Sequence, residues 1–391
     1  MLSGKLDQAA LQRGLAAAGA EGWLLFDFRG LNPVARRVLG LGGMGTRRIF
    51  VWIPRDGDMV AVAHKIELSP LVGFPGSVVP YGRWEELHAA LRKVVGGKTV
   101  AMEISPLDSV PYLDRVPYGV VQLIESLGAT VVSSGPLVTQ FASLWSRTEV
   151  EGHRRAAEAL ASIAQAELTR LTRKGGSGIT ESAVQQRVVD AIHGAGLVFD
   201  HPPIVGFGPN AADPHYEPIA GRDRKLETNQ VVLLDLWAGP GLGTVFADQT
   251  WMAFTGPNPP EKVQKVWETV RQARDAAIAR VRSAAEKGET VRGFEVDDAA
   301  RGVIEQAGFA DYFVHRTGHS IDRDLHGSGP HIDDYETRDD RVLMPGVGFS
   351  VEPGIYFPGD FGVRSEVNMF WGEKGPVVTP SQPQTELITS N

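Results

Sequence analysis

The segment VVLLDLWAGPGLGTVFADQTWMAF, residues 231–254, contains two apolar runs joined by a turn rich in glycine and proline. This pattern is typical of a β-hairpin. If residues 240–243 form the loop, Asp235 lies directly opposite Asp248. Directly opposed residues of antiparallel strands share a face of the sheet, with Cβ atoms about 4.5–5.5 Å apart. The hairpin therefore predicts two carboxylates in one site.

The segment GVGFSVEPGIYFPGDFGVRSEVNMFW, residues 346–371, repeats this construction. A three-residue loop at residues 358–360 places Glu352 directly opposite Glu366. Taken singly, any of the four acids could lie on an exposed face or pair with an arginine such as Arg364. Together, ionised carboxylates inside apolar strands cost several kcal/mol each and repel one another. Divalent cations between the acids would offset both costs.

Histidines cluster in a third segment, HRTGHSIDRDLH at residues 315–326, which holds three of the ten histidines in the chain. Carboxylates together with one imidazole suit Mn²⁺, Co²⁺ or Zn²⁺. Carboxylates can also bridge two ions about 3.5–4 Å apart, and such a pair can hold a hydroxide at neutral pH and stabilise an oxyanion. The sequence therefore favours metal-assisted hydrolysis.

The composition limits the class of partner. The chain of 391 residues has 47 acidic and 39 basic residues, a net charge of -8, which argues against binding to nucleic acid or to an anionic membrane surface. It has no cysteine, so disulfides and thiolate chemistry are excluded. Residues 1–20 are typical of an amphipathic helix without a signal-peptide core, and no apolar run reaches the roughly 18 residues of a membrane span. We therefore expect a cytoplasmic protein with a small, soluble partner.

Residues 1–143 predict an α/β domain. Short apolar runs such as GWLLFDF and RRIFVWIP are typical of strands, and GRWEELHAALRKVV is typical of a helix. Strands that alternate with helices favour a sheet with helices packed on its faces. The pattern changes near residue 143, where we place the domain boundary.

Residues 144–391 predict an α+β domain that contains almost all the unusual chemistry. Ser146 and Glu149 have the spacing of a capping box, and a long alanine-rich helix follows them. Two further helices are predicted at residues 180–196 and 261–285, among segments rich in strands.

These motifs resemble a family of metallopeptidases that comprises Xaa-Pro dipeptidases (prolidases), Xaa-Pro aminopeptidases and methionine aminopeptidases, which share the pita-bread fold. The resemblance covers the second domain. More loosely, the first domain resembles the N-terminal α/β domain of the proline-specific, creatinase/prolidase-like branch. The resemblance implies five metal ligands: Asp235 in LLDLWA, Asp248 in FADQTW, His319 in TGHSI, Glu352 in SVEPGIY and Glu366 in GVRSEV.

The resemblance also implies roles for residues around the metals. His315 and His326 would line the substrate pocket, and the motif PHYEP would supply a third substrate-facing histidine, His215. Glu352 would act both as a ligand and as a proton shuttle. Arg364 matches an arginine that orients the site without contacting the metal.

The sequence departs from the family pattern at a few positions. Ser320 stands where the family usually has a glycine, and Gly327 stands where it usually has an acidic residue. Asp235 and Asp248 are also slightly further apart than usual. No ligand is lost, but the shape of the pocket is left open. His331 matches no family role, and we expect it to be a surface residue.

The resemblance and the residues together predict a Xaa-Pro dipeptidase. The enzyme would bind two divalent ions per chain, with Mn²⁺ as the first candidate and Zn²⁺ or Co²⁺ as alternatives. Its substrate would be a small peptide with proline at the second position, and the family implies a homodimer.

Other functions stay open or are disfavoured. A Xaa-Pro aminopeptidase that acts on longer peptides is the main alternative, and a non-catalytic binding protein of the same fold is a weaker one. A methionine aminopeptidase would not need about 140 residues of additional α/β domain. A helical zinc site at His315 and His319 would need a glutamate directly after the first histidine, where the chain has Arg316.

Overall fold

The computed structural model describes residues 7–41, 45–173 and 178–390. The chain divides into two compact units, Met1–Ala142 and Ser143–Asn391. Of the helix predicted at the N-terminus, residues 1–6 lie outside the described residues. Within the described ranges, no helix combines the length and the apolar character needed to cross a bilayer.

The first unit alternates strands and helices along the chain. Its helices are α1 (Gln8–Ala18), α2 (Pro33–Leu39), α3 (Trp84–Val95), α4 (Tyr118–Ser126) and α5 (Gly135–Val138). Its strands are β1 (Gly22–Asp27), β2 (Ile49–Pro54), β3 (Met59–His64), β4 (Gly76–Tyr81), β5 (Thr99–Met102) and β6 (Thr130–Ser133).

The strands of the first unit form one mixed sheet in the order β4-β3-β2-β1-β5-β6. β1 is buried along its whole length because its side chains alternate between two apolar clusters. Trp23 and Leu25 face a cluster that includes α1 and α2, whereas Leu24 and Phe26 face a cluster that includes α3 and α4. Helices therefore cover both faces of the sheet, and the predicted α/β class is confirmed.

The second unit contains longer helices and more strands. Its helices are α6 (Arg147–Arg173), α7 (Glu181–Gly194), α8 (Glu261–Lys287) and α9 (Gly293–Gln306). Its strands are β7 (Ile204–Phe207), β8 (Val231–Ala238), β9 (Ala247–Phe254), β10 (Ser320–Ile321), β11 (Gly348–Val351), β12 (Gly354–Phe357), β13 (Phe361–Arg364), β14 (Val367–Gly372), β15 (Gly375–Thr379) and β16 (Ile388–Thr389).

The predicted start of α6 is confirmed. The backbone N–H of Ser146 donates to Glu149 Oε2 at 2.7 Å, and the N–H of Glu149 donates to Ser146 Oγ at 3.3 Å. These two reciprocal bonds are a capping box. The helices predicted at residues 180–196 and 261–285 are α7 and α8. α9 was not predicted, because its buried apolar stripe is narrow and two aspartates interrupt it.

The sheet β16-β9-β8-β7 lies between two layers of apolar side chains. On β8, Val232 and Leu234 pack into a cluster with α6 and α7. Val231 and Leu233 point the other way, into a cluster with α8, α9 and the strands β11 to β14. By the two-residue alternation of a strand, Asp235 points to this second side. The first pair of acids therefore faces the hairpin that carries the second pair.

The predicted pairing of the first hairpin is wrong by two residues. Asp235 pairs with Thr250, and Asp248 pairs with Trp237. The loop is longer than predicted because Gly239 is held elsewhere: its N–H and C=O each bond to Val198, at 2.9 Å. A shift by two residues preserves the face on which each side chain lies. The two aspartates therefore still share one face, as diagonal rather than direct neighbours.

The predicted pairing of the second hairpin is confirmed on both sides of the glutamates. Phe357 pairs with Phe361, and Val351 pairs with Val367. Positions 352 and 366 fall in the same register, but the regular strand pairing is interrupted there. The hairpin therefore joins β11 to β14 at one end and β12 to β13 at the other, with both glutamates at the break.

Candidate metal centre

Asp235 and Asp248 lie on the inner face of the β8–β9 hairpin, with Thr250 between them. Thr250 Oγ1 contacts Asp235 Oδ1 at 3.1 Å and Glu366 Oε2 at 2.8 Å, and it accepts a hydrogen bond from Arg364 Nε at 2.8 Å. The backbone N–H of Asp248 donates to Asn368 Oδ1 at 2.8 Å. This last bond ties β9 to the facing hairpin.

His319 directly precedes β10, and hydrogen bonds of its backbone to Ser350 fix its position. Its N–H donates to Ser350 Oγ at 2.9 Å, and the N–H of Ser350 donates back to the His319 carbonyl at 2.8 Å. The imidazole Nδ1 lies 3.2 Å from the carbonyl oxygen of Ser320 and must donate to it, since a carbonyl can only accept. Nε2 lies 3.4 Å from Asp248 Oδ2 and 3.3 Å from Glu352 Oε1. Nε2 therefore faces two carboxylates, an arrangement that suits a shared cation.

The break in the second hairpin gives Glu352 and Glu366 separate backbone partners. The N–H of Glu352 donates to the carbonyl of Thr317 at 2.7 Å, and the N–H of Glu366 donates to the carbonyl of Thr250 at 3.4 Å. Ser350 Oγ also donates to Glu352 Oε1 at 2.8 Å. Each glutamate is therefore held against a different neighbouring segment, and both side chains reach the site.

Three of the predicted ligands converge closely. One donor atom each from Asp248, His319 and Glu366 lies within 4.8 Å of the others, and all three residues are buried. Asp235 is connected to this group through Thr250, and it also forms an ion pair with Arg364. The structure thus brings Asp248, His319 and Glu366 together, whereas Asp235 is linked to them through Thr250.

Burial without enough countercharge raises the pKa of three of these acids. Burial raises the pKa of Asp235 to about 7, with Asp248 and Glu352 adding to the rise and Arg364 opposing it. The pKa of Asp248 is raised, first by burial. The pKa of Glu366 is raised well above its usual range by burial and by the neighbouring acids. A divalent cation would reverse all three shifts.

Glu352 and His319 form the complementary pair. Burial alone would raise the pKa of Glu352, but His319 and Arg364 hold it at about 2. Burial alone would lower the pKa of His319, but Asp248 and Glu352 raise it. These opposite shifts show that Glu352 and His319 stabilise each other's charged forms.

The donors fit a bound metal. Glu366 Oε1 is buried, and no hydrogen-bond partner for it is found among the residues that the structure describes. A buried carboxylate oxygen without a donor is costly, and coordination to a cation would satisfy it. Two carboxylates, one imidazole and two further acids are the hard-to-borderline donors that divalent ions such as Mn²⁺, Co²⁺ or Zn²⁺ accept.

His315 and His326 both lie close to the centre. His315 Nδ1 donates to the carbonyl of Arg316 at 2.7 Å, so Nε2 accepts from the Tyr356 hydroxyl at 2.9 Å. The ring of His326 is exposed and lies 4.2 Å from the ring of His319, centroid to centroid. Residues 315–319 are not helical, which removes the helical zinc site from consideration.

His215 reaches the same region from a separate segment. Its side chain is exposed, and its backbone N–H donates to Asp213 Oδ1 at 3.1 Å. His319 is the main cause that lowers the pKa of His326 to about 3, and the charge of His215 contributes to the shift. Both histidines are exposed to solvent.

The prediction that His331 is a surface residue is wrong. His331 is completely buried, and its Nδ1 accepts a hydrogen bond from the N–H of Ser320 at 3.0 Å. Its own N–H donates to Asp339 Oδ2 at 2.8 Å. His331 therefore supports β10 directly behind His319, a role that the sequence did not indicate.

Thr250, Ser350 and Tyr356 are residues of the centre that were not predicted. Thr250 lies two residues after Asp248 and Ser350 lies two residues before Glu352, so strand alternation places each on the face of its acidic neighbour. That periodicity could have identified both. The sequence around Tyr356 is typical of a core strand, and the contact of its hydroxyl with His315 places it at the centre.

A buried aspartate, histidine and glutamate within reach of one cation, beside two further acids, form the donor set of a metal-dependent hydrolase. The chain belongs to metallopeptidase family M24, whose profile matches residues 151–371. Peptidases of this family depend on divalent metals.

Relatives with known sequences and structures agree with this family. The chain is 30% identical over 341 residues to a probable dipeptidase PepE of Mycobacterium tuberculosis, which covers 86% of this chain and 84% of the relative. The crystal structure of dipeptidase PepE from Mycobacterium ulcerans matches with a TM-score of 0.70 and 26% identity, over 99% of this chain and 100% of that one. A prolidase from Thermococcus sibiricus matches with a TM-score of 0.65 and 25% identity, over 98% of both chains. The expected pita-bread fold, which follows an N-terminal domain in the sequence, is confirmed.

Proposed function

We propose that this chain is a Xaa-Pro dipeptidase, or prolidase, that hydrolyses the Xaa-Pro bond of dipeptides with two divalent ions. Mn²⁺ is the first candidate metal, with Zn²⁺ and Co²⁺ as alternatives. The proposed ligands are Asp235, Asp248, His319, Glu352 and Glu366.

The convergence of Asp248, His319 and Glu366 is the observation that carries this proposal, since their donor atoms lie within 4.8 Å of one another. Glu352 adjoins them through the 3.3 Å approach of its Oε1 to His319 Nε2. Metal–ligand bonds are about 2.0–2.3 Å long, so these donors need only small movements to share an ion.

The substrate class is supported by the relatives. One relative, which matches over most of its length, is named a probable dipeptidase. A structural match that spans nearly the whole chain is named a prolidase. The dipeptidase activity and the preference for proline are transferred to this chain as part of the proposal.

A pair of divalent ions would supply an activated water and a Lewis acid for the substrate carbonyl. The residues of the chain supply the proton transfers and the orientation. Glu352, whose Oε1 accepts a hydrogen bond from Ser350 Oγ, would pass a proton from the attacking water to the leaving nitrogen. Arg364, which bonds both Asp235 and Thr250, would keep the first hairpin in position.

Proline makes special demands on the pocket. A prolyl peptide nitrogen carries no hydrogen, so the enzyme cannot grip it as a donor and must protonate it as it leaves. His215 and His326, on the solvent side of the centre, would contact the developing oxyanion or the free proline carboxylate. His315 would line the pocket with its ring oriented by Tyr356.

The test compares Ala-Pro, Ala-Ala and an Ala-Pro-Xaa tripeptide as substrates of protein loaded with Mn²⁺. We expect Ala-Pro to be cleaved far faster than Ala-Ala and faster than the tripeptide. A clearly faster tripeptide would replace this proposal with a Xaa-Pro aminopeptidase. Absence of cleavage of every prolyl substrate with Mn²⁺, Co²⁺ and Zn²⁺ would reject the proposed activity.

The cytoplasmic location and the homodimer stay predictions. Both can be checked directly, by fractionation of cells that express the native chain and by measurement of its mass in solution.

A further inference from the structure

The segment that carries His215 has no regular secondary structure beyond one short turn. It leaves β7 at Phe207, makes a 3-10 turn at Gly208–Ala212 and continues without helix or strand to β8. His215 itself is exposed, and so is Ile219, with 58% of its surface accessible. Such a segment needs a specific attachment if His215 is to have a defined position.

The first attachment is to Glu181, the first residue of α7, whose side chain is completely buried. Glu181 Oε1 accepts a hydrogen bond from the N–H of Phe207 at 2.7 Å. Asn210 Nδ2 donates to both carboxylate oxygens, at 3.0 Å each. One end of the segment is therefore fixed to the start of α7.

The same carboxylate also holds the middle and the far end of the segment. Glu181 Oε2 accepts from the Tyr216 hydroxyl at 2.7 Å and from the N–H of Arg224 at 2.8 Å. The N–H of Glu181 donates to the carbonyl of Arg224 at 3.1 Å. Tyr216 directly follows His215, so the attachment in the middle is made one residue from the histidine.

The partners of the Glu181 side chain are all donors, so its carboxyl group acts as an acceptor throughout. Burial, followed by the hydrogen bond to Glu181, raises the pKa of Tyr216, so its hydroxyl stays protonated and donates. Hydrogen bonds from several donors to one carboxylate are individually stronger than neutral ones. A single side chain therefore connects four residues that are up to seventeen positions apart in the sequence.

The segment is also seated closely against the strand that leads to Arg364. A Cβ atom at Gly362 would lie 2.1 Å from the carbonyl oxygen of Ala211, so only glycine allows this approach. Gly362 lies on β13, two residues before Arg364. The backbone of the segment therefore packs directly on β13.

We infer that Glu181 is a positioning residue, which sets the place of His215 at the substrate pocket through Tyr216 without touching substrate. The inference rests on the proposed function in one respect, namely that His215 contacts the substrate. The attachment of the segment to Glu181 can be tested whether or not that function holds.

The kinetic test is a double-mutant cycle with Glu181→Gln, His215→Ala and the double variant, each loaded with Mn²⁺ and assayed on Ala-Pro. Glutamine keeps one acceptor but places an amide against donors. We expect Glu181→Gln to lower kcat/KM by about 10²-fold, as for a misplaced group. Because both changes act through one histidine, the double variant should be no slower than His215→Ala. Multiplicative effects in the double variant would overturn the inference.

The second measurement does not depend on activity. Hydrogen exchange of residues 208–224 should speed up in Glu181→Gln while exchange of the strands around the metal centre stays as in wild type. Glu181→Asp, which keeps two acceptor oxygens, should recover part of the protection. Unchanged exchange in residues 208–224, or an equal increase throughout the second unit, would contradict a positioning role.

Glu167→Gln is the matched control. Glu167 is another buried glutamate of the second unit, and it pairs with Arg187 and not with the segment. Its substitution should leave exchange of residues 208–224 unchanged, and its effect on kcat/KM should multiply with that of His215→Ala. If wild type cleaves no prolyl peptide but Glu181→Gln alone loosens the segment, the proposed function fails and the attachment stands.

Discussion

The carboxyl group of Glu103, in the first unit, and that of Glu366, in the second, are both buried but have different surroundings. Glu103 accepts hydrogen bonds from Trp23 Nε1 at 2.6 Å, Asn32 Nδ2 at 2.8 Å and Ser134 Oγ at 3.0 Å. Both of its oxygens are satisfied by neutral donors, and its nearest partners carry no charge. Such a group stabilises packing between β5, β1 and α2, and it needs nothing from outside the chain.

Glu366 has one donor, Thr250, and its other oxygen has no partner among the described residues. Three further acids lie nearby and raise the cost of its ionisation. The contrast shows that burial alone does not identify a metal ligand. In this pair, the number of donors for each buried oxygen separates Glu103, which supports the fold, from Glu366, whose second oxygen a cation would satisfy.

The largest expected effect is on the ligands themselves. His319→Ala and Asp248→Ala should each lose bound metal and lower turnover of Ala-Pro by more than about 10³-fold, since each removes a donor and leaves the remaining acids uncompensated. Metal content by mass spectrometry and the rate on Ala-Pro check this. Glu103→Gln is the control and should keep wild-type metal content. Equal metal loss in all three variants would contradict the distinction between Glu103 and the proposed metal ligands.

A smaller effect is expected at the pocket. His326→Ala should keep most of the metal but lower turnover by about 10²–10³-fold, as for the loss of one group that stabilises the transition state. The measurement is the ratio of turnover to bound metal. Loss of metal in proportion to activity would instead place His326 among the ligands.

The hydroxyl of Thr250 should contribute through the acids that it contacts. Thr250→Val keeps the shape of the side chain but removes the bonds to Asp235 and Glu366, so metal affinity should fall about 10–100-fold. Competition with a metal chelator measures this fall. Thr269→Val, which removes a hydroxyl bonded to a helix carbonyl on α8, is the matched control and should leave affinity unchanged.

The smallest expected effect concerns pH and the first unit. Burial raises the pKa of Glu103 from 4.5 to about 7, against the opposing hydrogen bonds from Trp23 and Asn32. The folded state then binds this proton more tightly than the unfolded chain. Its contribution is complete below about pH 4.5 and is lost as the pH rises through about 7. From pH 6 to pH 8 the loss amounts to about 1 kcal/mol.

Urea unfolding of wild type and Glu103→Gln at pH 6, 7 and 8 tests this effect. The variant cannot ionise at this position, so its free energy of unfolding should depend less on pH than that of wild type. Glu125→Gln, at an exposed position of α4 in the same unit, should keep the wild-type dependence. Identical slopes for Glu103→Gln and wild type would show that the carboxyl group is ionised across this range.

Much of the scaffold could be predicted because its signals are local. The capping box at Ser146 and the apolar run of β8 are recognisable within a few residues, and both are as expected. The second hairpin has a short loop, so its register followed from the sequence. The first hairpin has a longer loop in which Gly239 bonds to Val198, forty-one positions away, and no local pattern reveals that contact.

The acidic residues of the centre could be predicted from the sequence, but most of the residues that hold them in place could not. Motifs around Asp248 and Glu352 indicated the proposed ligands, and periodicity could have added Thr250. His331 was misjudged because burial of a histidine depends on the loop that covers it, here through Asp339. Glu181 has no local signal at all, since its four partners are scattered over residues 207–224.

The break in the second hairpin has a consequence for the chain if it is cut into two fragments. Glu352 is bonded to Thr317 and Glu366 to Thr250, so this hairpin connects β9 to the segment before β10. A cut in the exposed stretch at residues 257–260 would leave Asp235 and Asp248 on one fragment and the histidine and both glutamates on the other. Neither fragment would carry a complete donor set. Metal uptake by a mixture of the two fragments would then show that they had reassembled. Metal binding could therefore be used to measure fragment complementation.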